Sequence, residues 1–472
     1  MPSRRHPCGT PLRVAGTGAR NRSVPRRRVQ SPSVFPPPGS PGRVARNPGG
    51  RRGVSRVLGR PRGRTHTSGG HDVAHILVIG GGIAGTAAAL ALHKAGSDVT
   101  VYEAHPESAE DIGAFLTLAS NGMRALAQID ASAAVTAIGF PLRSMRVLDG
   151  TGATVAQVPL GEAGDPLLRY RCLYRGDLAT ALQAEAAHRG IDIRHGARLA
   201  SVQGAPDRVT ARFTDGSTAT GDLLVGADGL NSVARQQFAP AVQPRYAGQR
   251  VFYGYTDDVL LAEENAEESE RITMIRGSAA AFGYAVSPDG QTYWFARVAG
   301  EPLAADEVAG ATPAHWRDLL LQLLRKDATP AADIVAATTD RIMVTNATEI
   351  PTGTPWRSGR TLTIGDAAHA ASPATGQGAS MALEDAVVLA KSLRDAPATE
   401  TALALYETLR RPRVEDNVTT SGNISRGVRP PARPGQGAPA PRPGDDELTR
   451  HLDWQTDLWT EAGSDSPGSS PR

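Results

Sequence analysis

The stretch His75 to Glu103, HILVIGGGIAGTAAALALHKAGSDVTVYE, constrains the fold more than any other part of the chain. It opens with an unbroken apolar run, Ile76 to Ile79, as a strand buried on both faces requires. Gly80, Gly82 and Gly85 follow at G-x-G-x-x-G spacing. The first permits a tight turn out of the strand. The second lets the backbone approach a pyrophosphate without a Cβ in the way. The third, just after Ala84, lets the next helix sit close to the sheet. That helix is expected from about Ile83 to Ala95, stopping at Gly96. Its N-terminus offers free N–H groups and a partial positive charge to a phosphate. A second strand, Asp98 to Tyr102, runs into Glu103, about 20 residues past the glycines, where a carboxylate can accept from a ribose 2′-hydroxyl. A bare glycine motif is weak evidence. With its strand, helix and acid in place, this one reads as a dinucleotide-binding βαβ unit rather than a Gly-rich turn of some other α/β unit.

The chain has 472 residues, enough for two or three domains, and a formal net charge of +3. That charge is segregated: residues 1–70 hold 16 arginines and no Asp, Glu or Lys, which leaves an excess of 13 negative charges on the rest. Residues 1–72 are rich in Arg, Pro and Gly and are expected to form a disordered extension, since they cannot bury enough apolar surface to offset ordering. A transit peptide and a nucleic-acid-binding tail compete on charge alone, and a twin-arginine signal lacks its apolar segment. Alternatively, translation starts near Val73. The two cysteines, Cys8 and Cys172, exclude a disulfide framework or a Cys-based metal site and suit a reducing cytoplasm. No apolar run is long enough to span a membrane.

Beyond Glu103 the expected elements are a helix at Ser120 to Ile129 and a hairpin within Leu142 to Leu160, turning at Asp149-Gly150. A helix follows RCLYRGDL and reaches Gln183. Three strands are expected over Ile191–Val202, Arg208–Phe213 and Thr218–Val225, the last entering GADGLNSVARQQF. Residues 243–298 are β-rich and aromatic, and alternation puts Tyr253 and Tyr255 on one strand face, opposite Phe252. Further helices are expected at Ala314 to Leu324, Gln377 to Leu393, Ala398 to Val414 and Asp445 to Trp459, with a Pro-rich stretch from Val428 to Gly444 before the last.

Three separated segments fit one pattern: the glycine loop, Asp228-Gly229 inside GADGLNSVAR, and Gly365-Asp366 inside IGDAAHAASPATGQGASMALEDA. Residues 74 to 415 resemble the FAD-dependent aromatic hydroxylases, the p-hydroxybenzoate hydroxylase-like monooxygenases. The resemblance implies that Gly80, Gly82, Ala84 and Gly85 face the FAD pyrophosphate and Glu103 the adenosine ribose. It implies that Arg175 reaches the cofactor, and that Asp228 and Gly229 touch both FAD and a passing nicotinamide, with Ser232 and Arg235 completing their motif. Asp366 would bind the ribityl chain, and the loop Pro373 to Gly378, with Gly376 and Gly378, would lie against the isoalloxazine. The family often carries Asn two residues beyond that loop, where this chain has Ser380. An aspartate after a strand end can indeed accept two hydroxyls, and glycines let N–H groups approach a flat ring. The helix after the loop directs its positive end to the flavin, which stabilises the anionic reduced ring.

The expected fold class is α/β, with a Rossmann-like FAD-binding domain built from discontinuous segments and an inserted β-sheet substrate domain. Residues 73–140, 165–240 and 341–427 are assigned to the first, 141–164 and 241–340 to the second, and 428–472 to a Pro-rich tail with a short helix. The resemblance implies an FAD- and NAD(P)H-dependent monooxygenase that hydroxylates an aromatic or polyketide-like small molecule with O₂ through a flavin hydroperoxide. Nucleic acid, metal and membrane are not expected as partners. The alternatives are an FAD-dependent reductase or dehydrogenase of the same fold and a non-catalytic flavin-binding protein; the W-x-W-x-I-P motif of flavin halogenases is absent. No catalytic acid–base residue stands out. His369 has no visible partner base or metal spacing and reads as a packing residue, and Cys172 as a small buried one. One or two of the aromatic residues in the β-rich block are expected to line a substrate cavity. The small residues of Ala374 to Gly378 suggest a mobile element beside the ring.

Overall fold

The computed structural model describes residues 74–106, 114–161, 165–257, 270–428 and 445–464. The expectations for residues 1–72 and for the Pro-rich stretch 429–444 lie outside the described residues.

A six-stranded sheet has the order Arg357–Ser358, Thr361–Thr363, Leu223–Gly226, His75–Ile79, Asp98–Tyr102 and Asp192–Arg194. All its pairs are parallel except the short hairpin at the first edge. The apolar run of the first strand is buried on both sides, as its composition requires. Ile76 and Val78 pack against the helices Ile83–Lys94 and Gly378–Asp395, whereas Leu77 and Ile79 pack against a three-stranded antiparallel sheet. The Ala-rich sequence of Ile83–Lys94 suits this place between sheet and helix, since residues 85–92 are all buried.

A seven-stranded sheet carries the second core, in the order Ile342–Glu349, Arg245–Thr256, Thr292–Ala299, Ala281–Val286, Arg271–Arg276, Ser144–Asp149 and Thr154–Pro159. Phe252, Phe282 and Trp294 on one face are covered by the helices Pro313–Leu324 and Ala331–Ala337. Tyr253 and Tyr255 sit on the other face, as alternation requires, beside a small sheet formed by Phe115–Leu118, Tyr170–Tyr174 and Phe140–Leu142. The strand Ile342–Glu349 pairs with Arg245–Thr256, so this sheet extends past residue 340, where sequence alone places its end.

Several elements differ from expectation for identifiable reasons. The stretch 218–225 is two strands in different sheets. The chain crosses over at Gly221, where a Cβ would lie 2.7 Å from the His75 carbonyl, and Asp222 accepts from the His75 N–H at 2.8 Å. The stretch 191–202 divides likewise around Gly196, which has a φ of +75°. The helix expected to stop at Val414 runs through Pro412 to Ser425. Its last turns bury Asn417, Ser421 and Ser425, and a polar inner face gives no hydrophobic periodicity to read. The final helix is two, Asp445–Leu452 and Leu458–Ser464.

Candidate active site

The glycine loop is shaped by two close approaches. A Cβ on Gly85 would lie 1.9 Å from the Gly80 carbonyl, and one on Gly80, whose φ is +102°, would lie 2.4 Å from the Ala227 carbonyl. These glycines let loop, helix and neighbouring strand meet. At Gly82 a Cβ would meet nothing within 4 Å, because this residue opens into a cavity. Glu103 holds the loop: its carboxylate accepts from the N–H of Gly81 at 2.5 Å and of His105 at 2.7 Å. Gln183, which no sequence motif singles out, donates to the Gly81 carbonyl at 2.6 Å.

Asp228 turns back on its own segment. Its carboxylate accepts from Ser232 Oγ at 2.5 Å and from the N–H groups of Val233 and Ala234 at 2.7 and 3.1 Å. It thus caps the short helix Val233–Gln236, and its neighbour Gly229 lines the cavity. Arg235 is fully buried and donates to the carbonyls of Leu230 at 2.7 Å and Ala367 at 2.6 Å. It therefore ties the GADGLNSVAR segment to the IGDAAHA segment.

Asp366 begins a helical turn after Gly365 and lines the cavity, and its carboxylate has no hydrogen-bond partner among the described residues. His369, three residues on, faces away: its Nε2 lies 2.6 Å from Asp385 Oδ2 and its ring packs on Trp356. The packing reading of His369 therefore fits the structure. Asp385 and Glu384 form a buried ionic cluster with Arg410, which is 2.9 Å from Asp385 and 2.6 Å from Glu384. Arg413 and Asn121 also bond Glu384, at 3.0 and 2.6 Å. Burial opposes ionisation of Asp385, but His369 and Arg410 outweigh it and hold the carboxyl well below the usual range. Glu384 is lowered likewise, with Arg410 and Arg413 overcoming its burial.

The loop Pro373 to Gly378 is tied at residues 374, 375 and 377, and the Thr375 N–H also donates to Ser421 Oγ at 3.3 Å. Thr375 Oγ1 donates to Asn417 at 2.9 Å, Arg297 Nη1 donates to the Ala374 carbonyl at 3.3 Å, and Asn121 donates to Gln377 at 3.1 Å. Gly376 takes a left-handed φ of +66° between these ties, while a Cβ on Gly378 would point into open space. Ser380 is buried and accepts from the Ala119 N–H at 3.2 Å, so it supports the start of helix Ser120–Gln128. Cys172 is buried, with its thiol pushed up by desolvation.

One cavity of about 760 Å³ joins these parts. It runs from Gly82 and Ala84 past Arg175 and Asp366, along residues 373–379, to a wall of the seven-stranded sheet. Tyr253 and Phe295 are the two aromatic residues of the β-rich block that line it. Tyr255 instead packs beside it, and its hydroxyl oxygen accepts from the Phe115 N–H at 2.7 Å. Arg297, Ile272, Met274 and Met343 also line the wall; strand alternation from Phe295 marks Arg297, and no sequence motif marks the other three.

A fold with a parallel nucleotide-type sheet, a glycine loop opening into a cavity and an aromatic sheet wall defines a flavoprotein class, and comparison with known proteins agrees. The family model described as FAD binding domain matches residues 73–421. The chain is 31% identical over 361 residues to the aurachin C monooxygenase/isomerase of Stigmatella aurantiaca, covering 74% of this chain and 88% of that protein. It is 31% identical over 350 residues to the 3-amino-4-hydroxybenzoate 2-monooxygenase of Streptomyces cremeus, covering 72% and 84%. The crystal structure of Klebsiella pneumoniae HpxO complexed with FAD and uric acid superposes with a TM-score of 0.66 at 27% identity, covering 83% of this chain and 95% of that one. The chain belongs to the FAD-dependent, aromatic hydroxylase-like monooxygenases. It is an FAD-dependent monooxygenase with a small-molecule substrate.

Proposed function

We propose that this monooxygenase uses NAD(P)H and O₂ to hydroxylate an aromatic or polyketide-like compound held against the seven-stranded sheet. The observation that carries the reading is the continuity of the cavity from Gly82 and Asp366, past the 373–378 loop, to Tyr253 and Phe295. The residues fit FAD. Gly82 leaves open space where a pyrophosphate would approach, and Asp366 offers an unpartnered carboxylate to a ribityl chain. The relative named for aminohydroxybenzoate and the HpxO structure complexed with uric acid support a compact aromatic substrate.

In this reading Gly80, Gly82, Ala84 and Gly85 shape the pyrophosphate site, and the N-terminus of Ile83–Lys94 supplies positive potential to it. Glu103 fixes the loop through Gly81 and accepts from the adenosine ribose. Asp228 sets the turn that presents Gly229, and Arg175 extends toward the cofactor from the start of helix Arg175–His188. Gly376 and Gly378 admit the flat ring, and the N-terminus of helix Gly378–Asp395 lowers the cost of negative charge on it. Bound FAD would accept a hydride and activate oxygen, chemistry that no side chain supplies. The apolar wall at Leu142, Ile272, Met274 and Phe295 excludes water from the reacting face. The segments holding FAD form one domain and the seven-stranded sheet the substrate domain. The location is the cytoplasm, in keeping with two cysteines in the chain and, among the described residues, no helix long and apolar enough to cross a membrane.

The test is NADPH oxidation and oxygen uptake by purified yellow protein against phenolic and polycyclic compounds. A compound that stimulates both and gains one oxygen atom supports the reading. Flavin reduction without oxygen consumption in the turnover of any compound would favour a reductase instead.

A further inference from the structure

We propose that Arg297 is the anchor for an anionic group on the substrate, so that this enzyme takes aromatic compounds ionised at neutral pH, as carboxylates or acidic phenolates. The inference rests on the reading that the sheet end of the cavity holds the substrate.

Arg297 lies on the strand Thr292–Ala299, where alternation puts Tyr293, Phe295 and Arg297 on one face and Trp294, Ala296 and Val298 in the opposite core. It reaches the same cavity as Phe295. A guanidinium carries five N–H donors in a fixed fork. Its one hydrogen bond here is the 3.3 Å contact from Nη1 to the Ala374 carbonyl. Its Nε is buried without a partner, and no carboxylate pairs with it among the described residues. Burial lowers its pKa, yet an arginine remains charged at any physiological pH. A half-buried cation with so few acceptors is costly unless something else satisfies it.

Among the described residues the Ala374 carbonyl is the acceptor the surroundings supply. Among the cavity-lining residues the charged ones are Arg175, Arg297 and Asp366, and Asp366 belongs to the opposite, cofactor end, next to Gly365. Tyr253, on the neighbouring strand, also lines the cavity, and its hydroxyl has no hydrogen-bond partner among the described residues. Burial pushes that phenol up to about 12, with Arg297 and Arg175 acting in the other direction, so it stays protonated and can donate. The remaining wall here is mostly apolar, with Ile272, Met274, Phe295 and Met343 beside Thr345. A cationic fork and a phenolic donor in an apolar wall are the complement of a flat ring bearing one anionic oxygen group. The same arginine touches the 373–378 loop, so the acid-binding end and the loop beside the flavin are coupled through one side chain.

The experiment is calorimetric titration of the FAD-loaded enzyme with matched pairs: benzoate, hydroxybenzoate, anthranilate and quinoline-carboxylate against their neutral carboxamides. It needs no turnover, so it stands apart from the hydroxylation assay. The expected result is at least a tenfold preference for the acid in one or more pairs. That preference should vanish in Arg297→Met, return in part in Arg297→Lys and shrink in Tyr253→Phe, while FAD affinity of Arg297→Met stays within about threefold of wild type. The proposal is overturned if no acid is preferred, if Arg297→Met keeps the preference, or if it loses FAD and acid alike, which would make Arg297 a tether of the loop only.

Discussion

At the scale of single residues, what matters is which polar group is left free. Glu103 and Asp228 are both acids in cofactor-binding segments, yet Glu103 accepts from the N–H groups of Gly81 and His105, and Asp228 from Ser232 Oγ and the N–H groups of Val233 and Ala234. Asp366 keeps its carboxylate for the cavity. Asp366→Ala should therefore weaken FAD binding by the worth of a charged hydrogen bond, about 1.5–3 kcal/mol, or roughly tenfold to a hundredfold. Equilibrium dialysis with limiting FAD measures it, and near-normal occupancy would remove Asp366 from the site. Glu103→Ala should show a different signature: a smaller loss of FAD affinity, because only the distal ribose is involved, accompanied by a lower melting temperature of the FAD-free protein, because Gly81 loses its anchor.

At the scale of elements, the helices Gly378–Asp395 and Thr399–Ser425 are joined by the Glu384, Asp385, Arg410 and Arg413 cluster. Breaking such a buried set on one side costs about 3–5 kcal/mol, so Arg410→Ala should be strongly destabilised in urea melts. Asp385 has a folded pKa below its unfolded value, about 3.9 for a free side chain. Its stabilisation is complete above that unfolded value and is lost as pH falls below it toward the folded one. Urea midpoints should accordingly hold between about pH 7 and 5 and fall below about pH 4, with a shallower fall in Asp385→Asn. An identical acid slope in that variant would show that other carboxylates carry it. The same long helix also holds the 373–378 loop through Asn417. Release of that tie in Asn417→Ala should raise the share of NADPH oxidised to hydrogen peroxide, read by a peroxide assay during turnover with substrate. Unchanged coupling would mean that the ties to Arg297, Asn121 and Ser421 suffice.

At the scale of the whole molecule, the family match begins at residue 73, just before the first strand. Protein comprising residues 73–472 should keep its FAD content and melting temperature to within a few degrees. A large loss in either would show that the arginine-rich segment takes part in the fold. The two sheets divide the work between them: the six-stranded one ends in the glycine loop and in Gly365-Asp366, and the seven-stranded one presents Tyr253, Phe295 and Arg297. Placing the cavity where these meet gives cofactor and substrate a common boundary at the 373–378 loop.

The amino-acid sequence alone determined the parts of this protein whose physics is local. The strand, glycine turn and helix of the first unit lie within 20 residues of one another, and Gly85 answers the Gly80 carbonyl inside that short span. The same holds for strand alternation, which separated Tyr253 and Tyr255 from Phe252 before any partner strand was known. Tertiary structure decided whatever depends on groups far apart in the chain. The chain changes sheets at Gly221 because His75 arrives there, and the polar face of the helix after Val414 is buried because the 372–375 loop lies on it. His369 becomes a packing residue once Asp385 and Arg410 are brought to it, and Arg297 becomes a cation in an apolar wall only when the sheet is assembled. Spacing along a chain reports the geometry of one turn or one strand, whereas the company a charge keeps is set by long-range packing, and that company fixes its chemistry.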